Sequence, residues 1–459
     1  MKRRQFIKAS GMCVLTSSFA VPTTNSCSPM QGNNITEKAR ETPVKGHYDI
    51  VVCGSGPAGV VTAIEAARKG ASVLLVEMHG CLGGTWTSGQ LSWILDYKNK
   101  HGFIRQIEND LRNRGAICPI PTSSSLSFDI EAMKLLLEEY CLDAGVVVRL
   151  FTQVVGAIKQ NNRLSYVITE SKSGREAWGG KIFVDATGDG DLATHAGCGY
   201  DFGNAENHLT QPFSLLTLVG GIQFEDIKEY TRWTGDTKSN SKKLLLELLE
   251  KQGCQPSYKN PSLHPIRDDM FMLMANHEYG YHIFNADHLT TATLHARKEL
   301  HQIIAALRSA GGPWTNLKLI STPEQIGVRE GRRIHGLYSI TVQDVVEGRS
   351  HNDAVCKATF GVDVHSTSYK TDENLKSYSH GHKTKPYDIP LRALIAKDVS
   401  GLMMAGRCIS GDFFAHASYR VTGNAVPMGE AVGKVAAYAA LNNILPQDVP
   451  YNEFAIVAE

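Results

Sequence analysis

DIVVCGSGPAGVVTAIEAARKGASVLLVE, residues 49–77, is the stretch that decides the fold. It runs from an apolar strand through a glycine-rich turn into a small-residue helix, then into a second strand that ends on an acid. Gly54 permits a tight turn, Gly56 lets main chain approach a pyrophosphate, and Gly59 lets the helix pack closely on the sheet. The helix opened by Pro57 and Ala58 offers unpaired N–H groups to phosphates. Glu77, 18 residues beyond Gly59, stands where a ribose hydroxyl needs an acceptor. A bare GxGxxG is weak evidence, but here the preceding strand, the following helix and the terminal acid are all present. The segment therefore reads as a dinucleotide-binding βαβ unit in an α/β protein.

Working outward, 459 residues allow about three domains. The 47 basic and 46 acidic side chains nearly cancel, so there is no broad electrostatic footprint for nucleic acid or an anionic membrane, and no nucleic-acid partner is expected. The first residues, MKRRQFIKASGMCVLTSSFAVPTTNSC, carry Arg3 and Arg4 followed by Phe6 and Lys8, a pattern resembling a twin-arginine export signal. Its apolar run, Met12 to Val21, is too short and too polar to span a bilayer, so no transmembrane segment is expected. Ser18-Phe19-Ala20 offers a cleavage site and Cys27 an alternative lipidation site. Residues 1–45 thus read as export signal and polar linker, and the mature chain as exported, in the periplasm. Ten cysteines occur without a CxxC pair, which argues against an iron–sulfur site. Cys53, Cys141 and Cys408 fall in apolar segments as small core residues.

Beyond the βαβ unit, GCLGGTWTSGQ (80–90) is a second glycine-rich turn. Ile130, Met133, Leu136, Leu137, Tyr140 and Cys141 recur at helical spacing after Asp129. From Val146 to Val184 the alternation and turns predict a β-meander, closing on a strand that carries DATGDGD (185–191). Residues 206–320 change character, with aromatic and histidine-rich patches, a lysine-rich helix at 242–251 and a long helix near Ala286 to Ala310. They read as an inserted α+β substrate or cap domain between the two parts, 46–205 and 321–459, of a Rossmann-like domain. In the second part, GLMMAGRCISGDF (401–413) precedes a final helix for which Pro427 suits the first position.

Taken in order, GSGPAG (54–59), LLVE (74–77), GCLGG (80–84), DATGDGD (185–191), VREGRRIHGLY (328–338), AGRCIS (405–410) and AHASYR (415–420) resemble the FAD-dependent oxidoreductase family, within the glutathione-reductase-like, two-dinucleotide-domain FAD fold. Ser55 departs from the family's glycine, and residues 222–285 carry no matching motif. The resemblance implies FAD in an extended pose. Glu77, with Met78 beside it, would take the adenosine ribose. The Gly54–Gly59 turn, including Gly56, Pro57 and Ala58, would take the pyrophosphate, and Gly83, Gly84 and Thr85 the phosphate and ribityl side. Val154 would meet adenine through its backbone, while Ala186, Gly188, Asp189, Gly406 and Arg407 would close the site. The final helix would aim its N-terminus at the flavin.

A flavin accepts the electrons of a substrate hydrogen, so the protein must remove the accompanying proton. Histidine suits that task. His416, beside Arg420, is the first candidate, with His365 and His335 behind it. Arg332, Arg333, Arg392 and Arg420 are candidates to clamp a carboxylate or hydroxyl-rich substrate, although adjacent Arg332 and Arg333 cannot both face one pocket in a regular element. His277 and His282 are five apart, where the zinc-helix motif needs four, so no metal is predicted. The function expected is transfer of a hydride from a small polar molecule, such as a sugar or glycoside, to FAD, with an electron acceptor still to be named. A redox-neutral flavin lyase or isomerase and a flavoprotein electron carrier stay open as other classes. A thiol reductase is disfavoured, because Cys81 has no partner in the following turn.

Overall fold

A computed structural model describes residues 35–122, 125–236, 239–368 and 377–455. The export motif, Arg3, Arg4 and Cys27 lie outside the described residues. The chain divides into residues 1–41, whose described part carries no helix or strand, and residues 42–459, which hold every element below.

β1 (Val44–Cys53) leads through Gly54–Gly56 into α1 (Pro57–Arg68) and β2 (Val73–Val76). Ile50 to Cys53 and Val73 to Val76 are buried without alternation, as expected of parallel strands covered on both faces. α2 (Ile130–Asp143) is N-capped by Asp129, which accepts from the Glu131 and Ala132 N–H groups, and it buries the periodic face read from the sequence. Then come β3 (Val147–Arg149), β4 (Gln153–Gln160), β5 (Arg163–Ser171), β6 (Gly174–Asp185) and the short helix α3 (Asp191–His195). The sheet order is β3-β2-β1-β6-β5-β4.

β6 has a double role. Its first half pairs antiparallel with β5, from Gly174 to Gly179, and from Ala177 to Asp185 it runs parallel to β1. Its last residues, Phe183 to Asp185, pair in parallel with a C-terminal strand, Leu402–Met404. The meander is therefore shorter than the sequence suggested. Val147–Arg149 is a parallel edge strand on β2, separated from β4 by Phe151 at φ 52°, and the end of β6 belongs to the parallel layer.

Within the middle segment, β7 (Thr217–Gly220), β8 (Ser262–Arg267), β9 (Met270–Met274) and β10 (Lys318–Ser321) form an antiparallel sheet in the order β8-β9-β7-β10. α4 (Asn240–Lys251) and α5 (Ala286–Ser309) pack on it around a core of its own, including Leu245, Leu249, Phe271, Ile303 and Trp314. Among the described residues, no helix is long and apolar enough to cross a membrane.

The final helix, α6 (Thr422–Asn442), starts five residues earlier than Pro427 suggested; that proline lies inside it. A proline on the second turn removes one intrahelical donor. α6 packs on α1 almost backbone to backbone. A Cβ on Gly429 would sit 2.3 Å from the Ala58 carbonyl oxygen, and one on Gly433 2.6 Å from that of Thr62. The Thr62 hydroxyl donates to the Gly429 carbonyl at 3.1 Å. Overpacking such a contact costs about 1–3 kcal/mol. Gly433→Val is accordingly expected to lower unfolding free energy by about that amount in urea titrations followed by circular dichroism; an unchanged midpoint would contradict the close helix contact.

Candidate active site

The loops at the C-terminal ends of β1, β2 and β6 open into a cavity of about 910 Å³, toward the top of the range of about 300–1,000 Å³ for ligand pockets. Gly54 (φ 93°) has no room for a side chain: a Cβ would lie 2.4 Å from the Ala186 carbonyl oxygen. At Gly59 a Cβ would lie 2.0 Å from the Gly54 oxygen. Gly56, by contrast, has nothing within 4 Å of a Cβ position and lines the cavity, leaving its main chain open to a ligand. Gly84 (φ 51°) closes on Gly56 from the second turn, with a Cβ 2.9 Å from the Gly56 Cα, and Thr85 follows it on the wall. Gly83 (φ 106°) lies behind, donating its N–H to the Ser55 carbonyl at 2.8 Å.

Glu77 reaches the wall almost fully buried. Its Oε2 accepts from the Ser55 N–H (2.8 Å) and hydroxyl (2.7 Å), and its Oε1 from the His79 N–H (2.8 Å). Ser55, the departure from the family glycine, thus holds the acid in place. A carboxylate has about four acceptor sites, so one remains for a ligand hydroxyl. Met78 and Val154 line the same end.

Across the cavity, buried Asp185 accepts from the Thr187 N–H, the Thr187 hydroxyl and the Ala193 N–H, and so shapes the turn 185–191. Burial raises its carboxyl to about 6, against those hydrogen bonds. Arg407 ties the neighbouring turn to it, donating to the Gly188 carbonyl (2.9 Å), the Val328 carbonyl (2.7 Å) and Asp189 Oδ1 (2.6 Å). Arg332 donates to the Asp189 carbonyl and to Asp191, and lies 4.4 Å over the Phe284 ring. Val421 and Thr422 bring the N-terminus of α6 to the wall, where the buried Thr422 hydroxyl has no partner.

The rest of the cavity is lined from the middle segment and from 324–378, with Trp93, Lys242, Tyr258, His264, Arg329, Asp363, His365, Tyr378 and Arg420 on its wall. His365 Nε2 lies 3.4 Å from Asp363 Oδ2, and Nδ1 has no partner among the described residues. Arg420 donates to the Asp363 carbonyl at 3.0 Å and lies 3.5 Å from its carboxylate. Burial would raise Asp363, but His365, Arg420 and Arg329 outweigh it and hold the carboxyl well below its ordinary range. Burial, with Arg329 adding to it, lowers His365 to about 4 despite Asp363, so the ring is neutral at pH 7.

Residues 49–456 match the FAD dependent oxidoreductase family. The chain belongs to that family. Resemblance to curated proteins is local: 51% identity over 43 residues to dihydrolipoyl dehydrogenase of Trypanosoma brucei brucei, 9% of either chain, and 31% over 112 residues to mitochondrial dihydrolipoyl dehydrogenase of Schizosaccharomyces pombe, 24% of this chain and 21% of that one. The chain therefore spans less than a quarter of the length of these relatives. Among solved structures, a geranylgeranyl bacteriochlorophyll reductase-like protein from Thermoplasma acidophilum aligns over 87% of this chain and 80% of its own at 13% identity and TM-score 0.48. The p-nitrophenol 4-monooxygenase PnpA from Pseudomonas putida DLL-E4 aligns over 89% and 82% at 10% identity and TM-score 0.47.

FAD is the cofactor, and the residues fit it. Gly56 leaves open main chain for phosphates, Glu77 keeps an acceptor site, and the first turn of α6 faces the cavity with an unpartnered hydroxyl at Thr422. Of the cofactor residues expected from sequence, Gly54, Gly56, Pro57, Ala58, Glu77, Met78, Gly84, Thr85, Val154, Ala186, Gly188, Asp189, Gly406 and Arg407 line this cavity. Gly59 and Gly83 act from behind the wall.

The candidates for chemistry fare differently. His416 is not on the wall. It lies on the short helix Phe413–Tyr419, turned into the core with no exposure, 5.4 Å from the Tyr419 ring. Burial, reinforced by Arg333, Arg420 and Arg407, keeps it neutral. His365, Arg420 and Arg332 do reach the cavity, whereas Arg333 is buried against Glu330 and the Gly203 and Gly411 carbonyls. Arg392 pairs with Asp353 and His335 lies near Asp201, both away from the wall. Sequence reasoning missed Asp363, although D-V-H in an extended segment puts positions 363 and 365 on one side. It also missed Arg329, which lies within VREGRRIHGLY, and Tyr258 and Lys242, which carried no local pattern.

Hydrogen bonds to a charged group are worth about 1.5–3 kcal/mol. Glu77→Gln, which sets an amide against three donors, is expected to weaken FAD retention by about tenfold or more, read from the visible absorbance that survives gel filtration. Retention equal to that of the parent protein would rule out Glu77 as a ribose acceptor.

Proposed function

We propose that this protein oxidises a C–H bond next to oxygen or nitrogen in a small polar substrate, passing the electron pair to FAD. The observation that carries the reading is the Asp363–His365 pair, held in the same cavity as the dinucleotide cradle. FAD, when bound, supplies the two-electron sink that such an oxidation requires.

His365 accepts the substrate's O–H or N–H proton at Nδ1, while Asp363 faces Nε2 and stabilises the imidazolium that forms. Arg420 fixes Asp363 in turn. Lowering of His365 to about 4 keeps it proton-free at neutral pH, at some loss of intrinsic basicity. The N-terminus of the 21-residue α6 presents a partial positive charge toward the cavity, which favours negative charge there.

We further infer that FAD lies extended in the glutathione-reductase-like manner, adenosine toward Glu77, Met78 and Val154, with residues 206–320 as the cap over the substrate. The N-terminal sequence supports export by a twin-arginine route, which carries folded proteins with cofactor in place. The sugar reading rests on composition alone, and a substrate panel decides it.

General-base catalysis contributes about 10²–10⁴-fold. In anaerobic stopped-flow experiments, a substrate panel is expected to bleach the FAD absorbance in the parent protein. His365→Asn should slow bleaching by about that factor while leaving FAD bound; an unaffected rate would overturn the assignment. Because the neutral ring is the reactive form, the bleaching rate should stay level from pH 8 down to about pH 5 and fall as pH drops through about 4. A fall centred near 6.5 would mean that the base is not held as described.

A further inference from the structure

Among the described residues, the compartment around His365 carries more cationic than anionic side chains. Arg232, Lys242, Arg329 and Arg420 line it, against Asp363 on the wall and Asp236 behind Arg232. Asp236 engages Arg232 and Ser241, and Asp363 engages Arg420 and His365 while also facing Arg329 and Lys242, so two carboxylates serve four cations. Arg329, which is half-buried, donates to the Pro212 carbonyl (2.8 Å) and the Ser214 hydroxyl (2.7 Å) and makes no ion pair among the described residues. Lys242 Nζ has neither a hydrogen bond nor an ion pair with any described residue.

Burial and nearby Arg232 lower Lys242, and Lys242 and Arg232 in turn add to the burial that lowers His264 to about 3, so these groups share one field. Further donors and acceptors in the compartment are unspent. His264 Nδ1, His365 Nδ1 and Arg420 Nε are buried without partners among the described residues. Trp93 packs edge-on against His264 at 4.2 Å, and Tyr258 stands 5.9 Å from His365, giving flat apolar surface beside the charges.

A buried cation without a counter-ion is costly, and a ligand that brings the missing charge removes the cost. Planar guanidinium groups match carboxylates two hydrogen bonds at a time. We propose that the substrate is an organic carboxylate, its anionic group held by Lys242 and Arg329 and its oxidised carbon turned toward His365. This rests on the oxidoreductase reading above for the identity of the reacting carbon, but the anion site stands on its own charges.

Benzoate, benzamide and benzyl alcohol are suitable probes, because they share one ring and differ in charge. Titrated into the FAD-loaded protein and followed by shifts in the visible FAD spectrum and by tryptophan fluorescence, benzoate should bind at least tenfold more tightly than either neutral probe. Lys242→Met should bring the ratio close to one, and Lys242→Arg should restore most of it. His365→Asn should keep the preference while slowing bleaching, so a failed anion site and a failed base are told apart. Equal binding of the three probes, no binding of benzoate at any soluble concentration, or a preference that survives in both Lys242→Met and Arg329→Met would overturn the proposal. Bleaching that still depends on His365 would then leave the oxidoreductase reading in place with a neutral substrate.

Discussion

At Gly54, Gly59 and Ala186 the ends of β1 and β6 and the first turn of α1 meet with no space for a side chain at either glycine. That close approach lets main-chain N–H groups, rather than side chains, face the cavity, which is what binding a phosphate at a helix N-terminus requires. The two glycine turns then fit together, Gly84 over Gly56, and Ser55 and His79 aim Glu77 from the same loops. On the far side, Asp185 and Arg407 tie together the turns that follow β6 and Leu402–Met404. Since these strands pair side by side, the cofactor cradle is a property of strand ends held in register by one sheet.

The cradle is built from backbone, whereas the other half of the cavity is built from charge. Arg329, Arg420, Asp363 and His365 come from three stretches of the second part, and Lys242, Tyr258 and His264 come from the middle segment. In low dielectric each such group is costly alone and settles only with partners. The resulting network leaves a neutral imidazole beside a carboxylate that stays ionised, an arrangement suited to taking up a proton. Among the described residues it also leaves more cations than carboxylates, so the proton transfer and the anion recognition proposed above would draw on the same residues.

Legibility in the sequence follows from how local each requirement is. The βαβ unit, the second glycine turn, DATGDGD and AGR could be read because a tight turn, a close backbone approach or an N-terminal phosphate site imposes residue types within a few positions. The helix at 130–143 could be read from its apolar period and Asp129 cap. Pro427 misled because a proline within a helix held by close packing on α1 looks, in one dimension, like a helix start. His416 misled because Arg420, four residues on, faces the cavity, while the short helix that carries His416 turns its ring into the core.

The sequence alone therefore determined the class of fold, the identity of the cofactor's cradle and a short roster of histidines and arginines. Tertiary structure decided which of them act together. Where a histidine sits depends on groups that arrive from distant parts of the chain: Gln211 accepts from the His365 main-chain N–H, and Arg420 holds Asp363, which faces His365 Nε2. Electrostatic interactions act through space and are set by burial, so only the folded chain could place His365 on the cavity wall and His416 in the core, and gather Arg420, Arg329 and Lys242 around Asp363.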